Sequence, residues 1–79
     1  MKGIIDMFLQ ILLGVKDFTK ETKGNFQMIS FKSNIELSSH EIRSVLRDHG
    51  FYESKYHMYK SDTTLKAGNY INNIYLRNK

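Results

Sequence analysis

The sequence predicts a small α+β fold: a three-stranded, mostly antiparallel sheet with two helices, in the order α-β-α-β-β. An apolar helical pattern opens the chain, a serine–glutamate pair marks the start of a second helix, and β-prone stretches lie on either side of that helix. The chain has 79 residues and no linker-like stretch. We therefore expect a single domain, 1–79, with an N-terminal helix over 1–22 and a β-α-β-β unit over 25–79.

The predicted N-terminal helix has an unusually wide apolar surface. Its apolar residues cover more than half of a helical wheel, whereas a surface helix usually shows an apolar stripe of about 100°. The helix ends either at Gly14 or near Gly24, and Phe18 keeps the helical phase and favours the longer version. Such a helix has room for its own sheet and for a second contact with another copy, a target protein or a membrane surface. The residues expected at the protein interface are Ile4, Ile5, Phe8, Leu9 and Leu12.

A strand and a capped helix follow. Asn25 to Ser33 carries apolar groups on both faces, which is typical of a central or doubly covered strand. Ser38 and Glu41 have the spacing of a capping box, in which each side chain bonds the free backbone N–H of the other residue. With Gly50 as a C-terminal stop, this predicts a helix over 38–50 on one face of the sheet. The N-terminal helix is expected on the other face or at a dimer seam.

The last part of the chain is predicted to be an antiparallel hairpin with a long loop. Residues 51–60 are aromatic and β-prone, and residues 70–77 form the final strand. Between them, residues 61–64 are turn-like, and residues 66–69 are a second weak point.

The charge pattern favours an acidic partner. Twelve Lys and Arg residues against eight Asp and Glu give a net charge of +4. The hairpin interleaves tyrosines with cations, and helix 38–50 carries an arginine ridge. Rings that stack on bases, beside cations that neutralise phosphates, are typical of single-stranded RNA or DNA binding. The candidate residues are Lys55, Tyr56, Tyr59, Lys60, Lys66, Arg77, Arg43 and Arg47.

Ordinary structural roles explain the same residues. Tyrosines also favour strands for packing, and the alternation of a strand divides these tyrosines between the two faces of a sheet. The arginines suit a solvated helix face with local ion pairs. The chain also has no RNP-type aromatic motif and no GXXG loop.

The sequence shows no pattern that indicates catalysis. It has no glycine-rich phosphate loop, no paired-carboxylate motif and no zinc-hydrolase helix. His40, His49 and His57 lack the spacing of a helical metal pair, and the chain has no cysteine. We expect no enzyme activity, no catalytic residue, no metal and no cofactor. The apolar start is shorter than the roughly 20 residues of a membrane span and has no signal-peptide cleavage site, which predicts a cytoplasmic protein.

Composition suggests a source. Nearly half of the chain consists of six residue types that have AT-rich codons: Phe, Tyr, Met, Ile, Asn and Lys. A short basic chain of this kind resembles the small accessory and inhibitor proteins of large T-even-type phages, although a low-GC bacterium or a plasmid fits the composition equally. The resemblance covers no motif. It implies a protein that disables a host enzyme, toxin or defence component in the host cytoplasm.

The sequence is compatible with two functions. The first is a non-catalytic regulatory or inhibitory protein that binds a host protein, or itself as a homodimer. The alternative is a sequence-tolerant protein that binds RNA or single-stranded DNA through the basic, tyrosine-rich hairpin.

Overall fold

The computed structural model describes residues 14–79, which form four strands and one helix in the order β-β-α-β-β. The strands form one antiparallel sheet in the spatial order β1-β2-β4-β3. The elements are β1 (Lys16–Lys23), β2 (Phe26–Ser33), α1 (Ser39–Asp48), β3 (Tyr56–Lys66) and β4 (Asn69–Asn78). Helix α1 packs on one face of the sheet, and within residues 14–79 no element covers the other face, called the open face below.

The predicted fold class, a three-stranded sheet with two helices, is therefore wrong. The error arises in the predicted helix over 1–22, because its residues from Lys16 onward form strand β1. Gly14 and Asp17 have positive φ angles of 65° and 57°, which an α-helix does not contain. Phe18 lies on the side of the sheet that α1 covers, where its ring stacks on Phe31 at a centroid distance of 5.0 Å. The predicted interface at Ile4, Ile5, Phe8, Leu9 and Leu12 lies outside the described residues.

The hairpin of β3 and β4 has a tight turn where the sequence predicted a long loop. Residues 61–64 lie inside β3, and Thr63 and Thr64 pair with Asn72 and Ile71 of β4. The chain reverses at Ala67 and Gly68, whose φ angles of 51° and 81° fit a type I′ turn. Such a turn matches the right-handed twist of the strands, so both strands extend up to it.

The capping-box prediction is confirmed. The Glu41 N–H donates to Ser38 Oγ at 3.2 Å, and the Ser38 N–H donates to Glu41 Oε1 at 2.9 Å. At the other end of α1, the Phe51 N–H bonds the Leu46 carbonyl and the Gly50 N–H bonds the Arg47 carbonyl, which is a Schellman motif. The helix therefore begins and ends where its local sequence indicates.

The core lies between α1 and the covered face of the sheet. It consists of Ile29, Phe31, Leu37, Ile42, Val45, Leu46, Tyr56, Ile74 and Leu76. The side chain of Asn72, in the middle of β4, is fully buried. Its Nδ2 donates to Ser33 Oγ at 3.1 Å, and its Oδ1 accepts from Thr63 Oγ1 at 3.2 Å. Because these partners lie on the two neighbouring strands, Asn72 supports the strand register.

Candidate nucleic-acid interface

The strand register arranges the side chains of the open face in rows across the sheet. One row, from β1 to β3, contains Lys23, Phe26, Arg77 and His57. The next row contains Glu21, Met28, Tyr75 and Lys60. In these two rows the central strands carry aromatic and apolar groups together with Arg77, and the edge strands carry Lys23, Glu21, Lys60 and His57.

A β-bulge adds a further ring to these rows. The register between β3 and β4 shifts between Met58 and Lys60, so Tyr59 and Lys60 both face the open side. The Tyr59 ring lies 5.9 Å from that of Phe26 and 6.2 Å from that of Tyr75. These three residues are called the aromatic patch. Phe26 and Tyr59 are 47% and 43% exposed, so their rings are available to a ligand.

Three cations frame the aromatic patch. Lys60 Nζ lies 5.2 Å from the centroid of the Tyr75 ring, and Arg77 Cζ lies 5.6 Å from that of Tyr59. Both distances are within cation–π range, so the rings help to hold these side chains over the patch. Lys23 is the cross-strand partner of Phe26. The ion pairs Lys60–Asp62 (3.8 Å) and Lys23–Glu21 (3.7 Å) are exposed, so they hold these lysines only weakly.

The aromatic patch borders two shallow depressions. The first has a volume of about 190 Å³, and it is lined by Glu21, Lys23, Phe26, Gln27, Met28, Tyr59 and Tyr75. The second is more polar, and it is lined by His57, Arg77, Asn78 and Lys79. Because the guanidinium of Arg77 lies over Tyr59, it stands between the two depressions. An apolar depression beside a basic one suits a ligand with flat rings and negative groups.

A polar row marks the end of this arrangement. It contains Thr19, Ser30, Asn73 and Asp62. The Ser30 hydroxyl donates to Asn73 Oδ1 at 2.6 Å, so these two central side chains are hydrogen-bonded to each other. The aromatic patch is thus confined to one half of the open face, near the β1–β2 turn.

The structure brings together three of the predicted nucleic-acid residues, places Arg43 beside them, and separates the other four. Tyr59, Lys60 and Arg77 meet at the aromatic patch. Tyr56 does not: it is a core residue, only 7% exposed, and its hydroxyl accepts a hydrogen bond from Gln27 Nε2 at 2.7 Å. A buried ring cannot stack on a base, so the predicted stacking role does not fit Tyr56. Lys55 lies beside it, with Nζ 5.2 Å from the Tyr56 ring centroid.

Of the remaining basic candidates, Lys66 and Arg47 lie away from the aromatic patch, and Arg43 borders it. Lys66 is the last residue of β3, beside the β3–β4 turn. Arg47 is exposed on α1, with its guanidinium 5.9 Å from the ring of Tyr52. Arg43 lines a shallow groove with Tyr59 and Lys60, so it reaches the edge of the aromatic patch on β3.

Sequence reasoning missed Lys23, Phe26 and Tyr75 as members of one site. The sequence predicts Phe26 in a strand that is central or covered on both faces, and it places Lys23 just after the predicted helix over 1–22. The dipeptide Gly24–Asn25 between two β-compatible stretches is a hairpin signal that indicates both positions. With that hairpin in place, period-two alternation puts Phe26 and Met28 on one face.

No described residues form a group of three or more His, Cys, Asp or Glu side chains that could hold a metal. Within residues 14–79, no helix has the length and apolarity needed to cross a membrane. The pKa of Glu41 is lowered, chiefly because the Ser38 backbone N–H donates to its carboxylate, and secondly by the Ser38 side chain. This shift belongs to the helix cap and not to the aromatic patch.

Comparison with protein-family models, with curated proteins and with solved structures finds no match to this chain. The proposals below therefore rest on the geometry of the described residues.

Proposed function

We propose that this protein binds single-stranded RNA or DNA through the open face of its sheet. The observation that supports this most directly is the aromatic patch framed by Lys23, Lys60 and Arg77. Stacked bases bind aromatic faces with little dependence on sequence, and cations beside the rings neutralise the phosphates. The net charge of +4 adds a general attraction for polyanions.

The exposure and placement of the rings favour a single strand over a duplex. In a duplex the flat faces of the bases are stacked on one another, so rings on a flat sheet cannot reach them. A single strand can splay its bases onto Phe26 and Tyr59, the two strongly exposed rings of the aromatic patch. Lys23, Lys60 and Arg77 then lie beside the backbone. Three phosphate contacts predict a log–log salt slope of about −2, from about −0.7 per contact.

A titration with variants at Tyr59 tests this proposal. Fluorescence anisotropy would follow the binding of labelled 12-nucleotide RNA and DNA strands over a range of potassium chloride concentrations. Tyr59→Ala should weaken binding by about 1–3 kcal/mol and leave the salt slope unchanged, because it removes stacking and no charge. Tyr59→Phe, which keeps the ring, should bind like the parent protein.

The same titration can contradict the proposal. Absence of binding to both strands at physiological salt would exclude it. Binding that Tyr59→Ala leaves intact would indicate non-specific charge attraction. The regulatory or inhibitory function and the homodimer stay predictions, because the residues expected at that interface lie among residues 1–13. The phage source also stays a prediction.

A further inference from the structure

We infer that the first depression of the open face holds one nucleobase and that Glu21 selects guanine there. This inference rests on the proposed function and adds a base preference to it. It starts from the composition of the depression, which is mostly apolar and contains one carboxylate, that of Glu21, beside Lys23 and Gln27.

The apolar lining suits the flat face of a base. Phe26, Tyr59 and Tyr75 supply three rings, and Met28, the cross-strand partner of Tyr75, adds a further apolar side chain. The register places Glu21 opposite Met28 on the edge strand β1. A base that stacks on these rings can turn its hydrogen-bonding edge towards β1, where the carboxylate lies.

A carboxylate at this position is unfavourable for a surface that only attracts phosphates. Glu21 shares the depression with Lys23, and Lys60 and Arg77 frame the same patch. Its negative charge repels a polyanion unless it contacts the ligand through a hydrogen-bond donor. The 3.7 Å ion pair with Lys23 keeps the carboxylate near the rim of the depression while leaving its side chain 55% exposed.

The donor pattern of the bases determines which one a carboxylate accepts. A carboxylate has two acceptor oxygens and no donor. Guanine presents two adjacent donors, N1–H and the N2 amino group, and matches both oxygens. Cytosine and adenine present one amino donor beside a ring-nitrogen acceptor, which repels the second oxygen. Uracil and thymine present one N–H between two carbonyl acceptors. The expected order is guanine first, then cytosine and adenine, then uracil and thymine.

The test compares strands that differ at a single base. The probes are a labelled uridine 12-mer and three versions with one central guanosine, cytidine or adenosine. A single guanosine should tighten binding about five- to tenfold, the low end for a bidentate base contact because Glu21 is solvent-exposed. Glu21→Gln should reduce this ratio to about twofold or less, because the amide keeps only one acceptor oxygen. The uridine 12-mer should bind the variant at least as tightly.

Glu53→Gln is the matched control. Glu53 forms an exposed ion pair with Lys55 at the same distance of 3.7 Å, outside the depression. Its variant loses the same charge and should keep the guanosine preference. Equal binding of all four probes, or a preference that survives Glu21→Gln, would overturn this inference and leave the proposed function standing. Binding of none of the probes would overturn both.

Discussion

At the residue scale, the start of helix α1 depends on two side chains that are close in sequence. Ser38 and Glu41 are three positions apart and exchange two hydrogen bonds at the start of α1. Such a pair can be predicted from spacing alone, because the helix itself fixes the geometry of its first turn. The prediction of this cap needed no knowledge of the sheet.

The cap at Ser38 can be tested by its effect on stability. Ser38→Ala removes the acceptor for the Glu41 N–H and should lower the free energy of unfolding by about 0.5–2 kcal/mol. Urea denaturation followed by circular dichroism would measure it. Ser39→Ala is the matched control, since Ser39 is an exposed residue in the first turn of α1 and should change stability by no more than about 0.5 kcal/mol. Equal losses in both variants would contradict the assigned cap.

Phe18 shows where residue-level reasoning fails. Its spacing from Val15 fits a helix, but in β1 its ring stacks on Phe31, His49 and Phe51. Two of these partners follow α1, so they are more than 30 residues away in sequence. The spacing of a partially buried aromatic residue is compatible with a strand as well as with a helix. Tertiary contacts with residues distant in sequence then decide between the two.

At the element scale, the two hairpin turns determine the number of strands. Gly24–Asn25 connects β1 to β2, and Ala67–Gly68 connects β3 to β4. The sequence prediction placed strand β2, helix α1 and strand β4 near their observed bounds, because each has a clear local pattern. It missed β1, whose residues are mostly exposed and polar, because an edge strand without a buried face leaves little periodicity to detect.

The β3–β4 turn contains a residue that is poorly suited to its conformation. Ala67 has a φ of 51°, in the left-handed region that costs an alanine free energy and that asparagine tolerates. Asn-Gly is the preferred pair for a type I′ turn. Ala67→Asn should therefore stabilise the protein by about 0.5–1 kcal/mol and raise Tm by about 2–8 °C. Differential scanning calorimetry would measure the change.

A variant with the opposite expected sign strengthens this test. Ala67→Val introduces a β-branched side chain, which strongly disfavours positive φ, and should lower Tm. If both variants were less stable than the parent protein, the turn would not be the type I′ turn described above.

At the scale of the whole molecule, the candidate site exists only because the sheet brings distant positions together. Phe26, Tyr59 and Tyr75 come from β2, β3 and β4, and the order β1-β2-β4-β3 makes β4 the common neighbour. The sequence indicated the tyrosine- and lysine-rich hairpin, which supplies Tyr59, Lys60 and Arg77. The placement of Lys23 and Glu21 at the site depends on the edge strand β1 and its register, which the predicted N-terminal helix excluded.

The two faces of the molecule differ in shape while both carry cations. Helix α1 covers one face and presents Arg43 and Arg47 outward, and Lys20 of β1 lies on the same side as the helix. Arg43 shares a groove with Tyr59, whereas Lys20 and Arg47 line none of the three depressions at or beside the aromatic patch. If binding depended on net charge alone, the two faces would contribute equally; if it depends on the aromatic patch, only cations of the open face should matter.

Two double variants with the same charge separate these cases. The first double variant carries Lys23→Gln and Lys60→Gln, and the second carries Lys20→Gln and Arg47→Gln. Each removes two positive charges and lowers the net charge from +4 to +2. The open-face pair should flatten the log–log salt slope for a single-stranded 12-mer by about 1.4, two contacts at about 0.7 each. The other pair should leave the slope nearly unchanged and weaken binding only slightly through long-range attraction, which salt screens. Equal flattening by both pairs would show that diffuse charge holds the nucleic-acid strand. It would contradict the assignment of the binding site to the open face.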